Sequence, residues 1–97
     1  MNAPPAIRYS LVIPAYNEEA RIAAMFDRIG PFSGELIVVC DGDDRTPDVV
    51  RQISLTRTDL NIRCLTFPHR IRKGGGVSAG MKAAQGEFVG YLDADGS

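Results

Sequence analysis

Histidine occurs once and cysteine only twice among the 97 residues, and those scarcities remove several protein classes at once. Cys40 and Cys64 each lie inside an apolar run, there is no Cys-x-x-Cys pair, and His69 stands alone. Neither a zinc site nor a disulfide framework can be assembled from such a set. The expectation is two buried free thiols in a reducing compartment. No basic run is longer than the cluster Arg70, Arg72 and Lys73, and 11 basic residues nearly cancel 12 acidic ones. A nucleic-acid surface needs a broad basic face, so no nucleic-acid partner is expected. No apolar run approaches the roughly 20 residues of a membrane span, and residues 1–8 carry Pro4 and Pro5 but no apolar stretch of signal-peptide length. These absences point to a cytoplasmic chain with a flexible stretch at 1–8. Repeats, linkers and low-complexity tracts are also missing, which favours one domain.

What is present alternates regularly. The run 9–13 is short, apolar and β-branched and is halted by Pro14, which reads as a buried strand followed by a loop. Glu18 and Glu19, with Asn17 as a possible cap, open a helix whose Ile22, Met25, Phe26 and Ile29 recur at helical spacing until Gly30-Pro31. The run 36–40 is a second buried strand, ending on the acidic turn 41–44. A second helix from about Pro47 turns Val49, Val50, Ile53 and Leu55 inward. Residues 61–66 form a third strand, residues 69–76 a basic glycine-rich loop, and a third helix carries Val77, Met81 and Ala84 up to Gly86. Residues 87–92 make a fourth strand that runs into Asp93 and Asp95. Alternating strands and helices with short loops indicate an α/β fold: an open, mainly parallel sheet with helices on both faces.

In such sheets ligands bind beyond the carboxyl ends of the strands, where loops and helix N-termini gather. Every unusual cluster falls at that edge: Pro14, Tyr16, Asn17 and Glu18; then Asp41, Asp43 and Asp44; then Arg70, Arg72 and Lys73 with three glycines; finally Asp93 and Asp95. Two acids separated by one small residue at a strand end can turn toward one point. Magnesium commonly takes one or two protein carboxylates and completes its shell with phosphates and water, although acids at this spacing also occur in ordinary turns. Lys73 and the glycines after it could meet a phosphate or could form a solvated turn. There is no Gly-Lys-Ser/Thr, and no Gly-x-Gly-x-x-Gly follows the first strand, which argues against the ATPase and dehydrogenase readings. Asp41 could receive hydrogen bonds from a base or ribose, or belong to a plain Asp-Gly turn. Tyr16 could flank a base or simply pack. Glu18 is explained equally by the helix dipole, and His69 by an exposed loop.

The order of four motifs is more specific than any one of them. Ser-Leu-Val-Ile-Pro-Ala-Tyr-Asn-Glu-Glu at 10–19, Glu-Leu-Ile-Val-Val-Cys-Asp-Gly at 35–42, Lys-Gly-Gly-Gly-Val-Ser-Ala-Gly-Met at 73–81 and Gly-Glu-Phe-Val-Gly-Tyr-Leu-Asp-Ala-Asp-Gly at 86–96 resemble the inverting GT-A glycosyltransferases of family 2. Within that family the chain is most similar to the dolichyl-phosphate glucose and mannose synthases. The resemblance implies a Rossmann-like GT-A sheet, here cut after its fourth strand, forming over 1–97 the nucleotide-sugar-binding half of a transferase domain. It further implies that Pro14, Tyr16, Glu18, Asp41, Lys73 and Asp93 bind a UDP- or GDP-hexose. Asp93 and Asp95 would hold Mg2+ or Mn2+ against the diphosphate, and the acceptor would be a polyprenyl (dolichyl) phosphate, reached at the cytoplasmic membrane face.

The chain departs from the family pattern in several places. Cys40 stands where the family usually has another aspartate, Asp43 where it often has serine, and Arg72 where it often has glycine; the turn after Asp43 is one residue shorter. Two residues beyond the second acid, a position that can join the metal in mannose synthases of this type, stands Ser97. The acceptor-binding half and its catalytic base follow the metal motif in the family, so no catalytic residue is expected within this chain, and the 97-residue polypeptide alone is expected to be inactive. The alternative is a stand-alone nucleotide-binding or assembly module, associating through its exposed sheet edge as a homo-oligomer.

Overall fold

The computed structural model describes residues 7–67 and 71–92. Seven elements alternate: β1 (Tyr9–Ala15), α1 (Ile22–Arg28), β2 (Glu35–Cys40), α2 (Thr46–Thr56), β3 (Asn61–Thr66), α3 (Arg72–Ala83) and β4 (Phe88–Tyr91). The strands form one sheet in the order β3-β2-β1-β4, and each neighbouring pair is parallel. β2 is buried at all six positions, as expected for a continuous Leu-Ile-Val-Val run between two helical layers. On one face Ile22, Met25 and Phe26 of α1 and Val50 of α2 pack over Ile13, Ala15, Leu36, Val38 and Cys40. On the other, Val12, Ile37 and Val39 lie against Leu65, Phe67, Ile71 and Ala84. Each fully buried Phe or Ile contributes on the order of 2–3 kcal/mol.

The strand order reverses at β1, with β2 on one side and β4 on the other. The crevice beyond the carboxyl ends of such a pair is the usual ligand position in this architecture.

Several local expectations change. β1 runs through Pro14 to Ala15 instead of stopping at the proline. The Val12 carbonyl accepts the Leu92 N–H, so the backbone groups of Val12, and two residues on those of Pro14, face the β4 flank. The described pairing of β4 with β1 ends at Tyr91 and Val12, so among the described residues the missing Pro14 N–H interrupts no ladder bond. α1 begins at Ile22, not Glu18; Arg21 and Ile22 both donate to the Glu18 carbonyl in a turn that precedes the helix. The glycine-rich stretch is helical, since α3 already starts at Arg72. A Cβ on Gly80 would sit 2.3 Å from Val12 Cγ1, so the small residues of α3 are what let the helix settle onto β1.

Leu55 and Met81 are exposed, not inward. Among the described residues nothing covers either helix on the side where these residues project. Cys64 is exposed as well, because β3 is an edge strand and α2 covers it only partly; Cys40 is buried as expected. All four residues of β4 are exposed. No helix among the described residues is long and apolar enough to cross a membrane.

Candidate functional site

The carboxyl edge is built from two loops that interlock. In the first, residues 16–21, Asn17 takes φ of 52°, the left-handed region, which asparagine tolerates better than most residues. That twist aims its side chain across to the second loop, residues 41–45, where Asn17 Oδ1 accepts the N–H groups of Asp43 at 3.1 Å and Asp44 at 3.2 Å. Return bonds run the other way. The Glu18 N–H donates to Thr46 Oγ1 at 3.0 Å, and the Glu19 N–H to Asp44 Oδ2 at 3.2 Å. The Arg45 N–H reaches Glu19 Oε1 at 3.4 Å. Gly42 lies under Asn17, where any Cβ would stand 2.2 Å from Oδ1.

Asp44 organises the start of α2. Its Oδ1 accepts the Thr46 N–H at 3.0 Å and the Thr46 hydroxyl at 2.6 Å. Burial alone would push the Asp44 carboxyl up, but the bonds from the Thr46 hydroxyl, the Thr46 N–H and the Glu19 N–H outweigh it and hold the group below the ordinary aspartate value.

Of the residues expected at the site, Tyr16 is exposed just beyond β1. Pro14 is half-buried inside the strand. The Glu18 side chain is half-buried and engaged with Arg21. Asp41 is 6% exposed at the end of β2, and its Oδ2 accepts the Ile71 N–H at 2.9 Å. The aspartate therefore ties the second loop to the start of α3, whose first turn contains Lys73; the Lys73 side chain is not among those described. Asp93, Asp95, Ser97, His69 and Arg70 lie outside the described residues. Among the described residues no group of three or more His, Cys, Asp or Glu side chains could hold a metal ion.

Cys40, at the position where an acid was anticipated, packs in the core cluster beneath α1 and α2. Its Sγ lies 3.6 Å from Cys64 Sγ. The hydrogen bond to Cys64 and burial push the Cys40 thiol far above its ordinary value, while the same bond, aided by Arg51, lowers Cys64. Cys40 thus remains a protonated core residue.

Sequence reasoning missed the interlock itself. Asn17 has the local form of a helix cap, and only the Asp-x-Thr-Pro string at 44–47, typical of a helix start, hints at the role of Asp44.

Residues 10–97 match the description Glycosyl transferase family 2. A dolichyl-phosphate beta-glucosyltransferase of Trichomonas vaginalis is 36% identical across 97% of the chain and 32% of its own length. The mannosyltransferase PcManGT of Pyrobaculum calidifontis, solved with GDP-Man and Mn2+, superposes with a TM-score of 0.81 at 28% identity, covering 94% of this chain and 28% of that one. S. aureus TarS 1-349 with UDP-GlcNAc gives 0.74 at 25% identity, covering 92% of this chain and 27% of its own. The chain therefore spans about a third of the length of the curated relatives it matches.

Proposed function

The chain belongs to glycosyl transferase family 2, and on that premise we propose that residues 1–97 are the nucleotide-sugar-binding half of a GT-A hexosyltransferase domain. One observation carries the reading: the parallel sheet delivers Tyr16 and Glu18 after β1, Asp41 after β2 and the first turn of α3 to the same edge, toward which β4 also runs. In this reading Pro14, Tyr16 and Glu18 line the nucleotide pocket, and Asp41 receives hydrogen bonds from the base. Lys73 lies near the diphosphate, and Asp93 and Asp95 are the carboxylates for Mg2+ or Mn2+. Two carboxylates are hard oxygen donors, and the donor set fits such a cation. When bound, the metal supplies charge neutralisation to the departing diphosphate. No residue of this chain is assigned as the base.

For the whole protein the reading is transfer of a hexose from UDP- or GDP-sugar to a polyprenyl phosphate at the cytoplasmic membrane face. It is supported by what the relatives are named for: dolichyl-phosphate beta-glucosyltransferases among the curated proteins, GDP-Man with Mn2+ and UDP-GlcNAc in the solved structures.

Calorimetric titration of the chain with UDP and with GDP, each with and without Mn2+, tests the site. Metal-dependent binding of at least one nucleotide is expected, weakened by Asp41→Asn and stripped of its metal dependence by Asp95→Ala. Silence at millimolar nucleotide would sink the reading.

A second reading, an assembly module, is favoured by one feature. Tyr9, Phe88, Val89 and Tyr91 are all exposed on and beside edge strand β4. Light scattering across a hundredfold concentration range distinguishes a self-associating chain from a monomer.

A further inference from the structure

We infer that Asn17 is a positioning residue: it locks the loop carrying Tyr16 and Glu18 to the loop that follows Asp41, so that the two walls of the nucleotide pocket are held as one unit. The inference rests on the nucleotide-binding reading above and adds a residue to which that reading gives no role.

Four observations carry it. Among the described residues Asn17 is the only non-glycine with positive φ, a conformation that persists only where its surroundings enforce it. Its Oδ1 is shared by two backbone N–H groups, those of Asp43 and Asp44, which have no helix or strand of their own to bond within. Gly42 leaves room for this contact, since the Cβ of any other residue would occupy the place of Oδ1. The return bonds, Glu18 N–H to Thr46 Oγ1 and Glu19 N–H to Asp44 Oδ2, close a ring that crosses between the loops in both directions. A ring of this kind is cooperative, because each bond holds the partners of the next in place.

The chemistry is specific to an acceptor on a short arm in left-handed backbone. Alanine removes the acceptor and keeps the backbone strain. Glycine relieves the strain but still lacks the acceptor. Aspartate keeps both the acceptor and a tolerance for the conformation. A role confined to backbone strain predicts that glycine rescues; a positioning role predicts that only aspartate does.

The test has two arms on the 97-residue chain. In the ligand-free arm, amide exchange is followed by NMR in wild type, Asn17→Ala, Asn17→Gly and Asn17→Asp. Faster exchange, about tenfold, is expected at Asp43 and Asp44 and also at Glu18 and Glu19 in the Ala and Gly variants, with Asp close to wild type. Acceleration confined to Asp43 and Asp44 would show that the loops are not coupled and would overturn the inference.

In the second arm UDP and GDP are titrated with Mn2+ at a temperature where every variant is folded. Affinity about tenfold weaker in Ala and Gly, and within about threefold of wild type in Asp, is expected. Leu60→Ala, a core change beyond the opposite end of the sheet, serves as a control of comparable destabilisation and should leave affinity unaltered. Equal loss of affinity in Leu60→Ala would reduce Asn17 to a stability residue and overturn the positioning role. Coupled exchange without any nucleotide binding by wild type would overturn the nucleotide reading, and the positioning role with it, while leaving the interlock standing.

Discussion

Glu35→Gln probes a buried polar lock at the starting edge of the sheet, opposite the candidate site. Glu35 is fully buried. Its Oε2 accepts the Ser10 hydroxyl and the Gln85 N–H, each at 2.6 Å, and its Oε1 accepts Arg63 Nη1 at 3.0 Å. Ser10 Oγ in turn accepts the Gly86 N–H at 2.8 Å, and Arg63 also donates to the Ala83 carbonyl at 3.0 Å. One carboxylate thus joins β1, β2, β3 and the exit of α3. In the glutamine variant the amide oxygen serves best in the Oε2 position, where two donors converge, which turns the amide NH2 toward the Arg63 guanidinium. Donor meets donor. Losing a hydrogen bond to a charged group costs about 2 kcal/mol. With a urea m-value of roughly 1 kcal/mol/M for a small domain, the midpoint should fall by about 2 M. The pH dependence supplies a second check. Burial by itself would raise the Glu35 pKa, but the bonds from Ser10, Gln85 and Arg63 outweigh it and set the folded value below the ordinary 4.5. A depressed folded pKa gives stability that is fully present above the unfolded value and is lost as pH falls through the folded one. The difference between wild type and Glu35→Gln should therefore hold steady from pH 7 down to about 5 and shrink below the unfolded value. Urea titrations at pH 7, 5, 4 and 3 measure it. Coincident midpoints at pH 7, or a gap as wide at pH 3 as at pH 7, would refute the lock.

Three further outcomes are expected. Gly80→Ala drives a methyl into Val12; overpacking of about 1–3 kcal/mol exceeds the roughly 1 kcal/mol gained in helix preference, so thermal melting should drop by several degrees. Iodoacetamide should label Cys64 in the folded chain and spare Cys40, which is buried and whose thiol is pushed up by its bond to Cys64 and by burial; peptide mass spectrometry reads this, and equal labelling would contradict it. In a full-length relative carrying this segment, the change equivalent to Asp95→Ala should lower metal-dependent transfer at least a hundredfold by removing charge stabilisation at the diphosphate, and unchanged turnover would count against the metal assignment.

Periodicity made the architecture legible. The uninterrupted run in β2 announced a strand covered on both faces, and Ile22, Met25 and Phe26 announced the inward stripe of α1. Glu35 shows where such reading stops. A glutamate at the mouth of an apolar run looks like a solvated strand end, and its burial follows from Ser10, Arg63 and Gln85, partners 25 to 50 residues away along the chain. Asn17 fails for the same reason, since an asparagine before two glutamates has the local form of a helix cap and only tertiary contact diverts its oxygen to the neighbouring loop. The placing of the clusters after β1 and β2 at one edge was legible because the topology of a parallel sheet dictates where strand ends gather. The contact between the loops was not, because it depends on side-chain reach rather than on order along the chain.

The helical state of residues 74–76 bears on the proposed donor site more than a flexible loop would. Each glycine weakens a helix by about 1 kcal/mol relative to alanine, so three in succession within the first turns of α3 call for a compensating reason. Packing accounts for a small part of it: a Cβ on Gly75 would come within 3.2 Å of Ile71 Cβ, whereas one on Gly76 would make ordinary contact with Pro14 Cβ at 3.4 Å. Gly74 meets nothing within 4 Å, so close packing does not explain it. The first N–H groups of a helix have no intrahelical acceptor, and the helix dipole favours negative charge there. A bare Cα at that position gives a diphosphate access to these donors that any side chain would obstruct. On the proposed reading Asp41 anchors Ile71 just ahead of this turn, and Gly74→Val should leave melting little altered, since its Cβ enters open space, while weakening UDP or GDP binding several-fold. Tight binding by that variant would show that the ligand does not need a bare Cα at this position and would overturn the role given to Gly74.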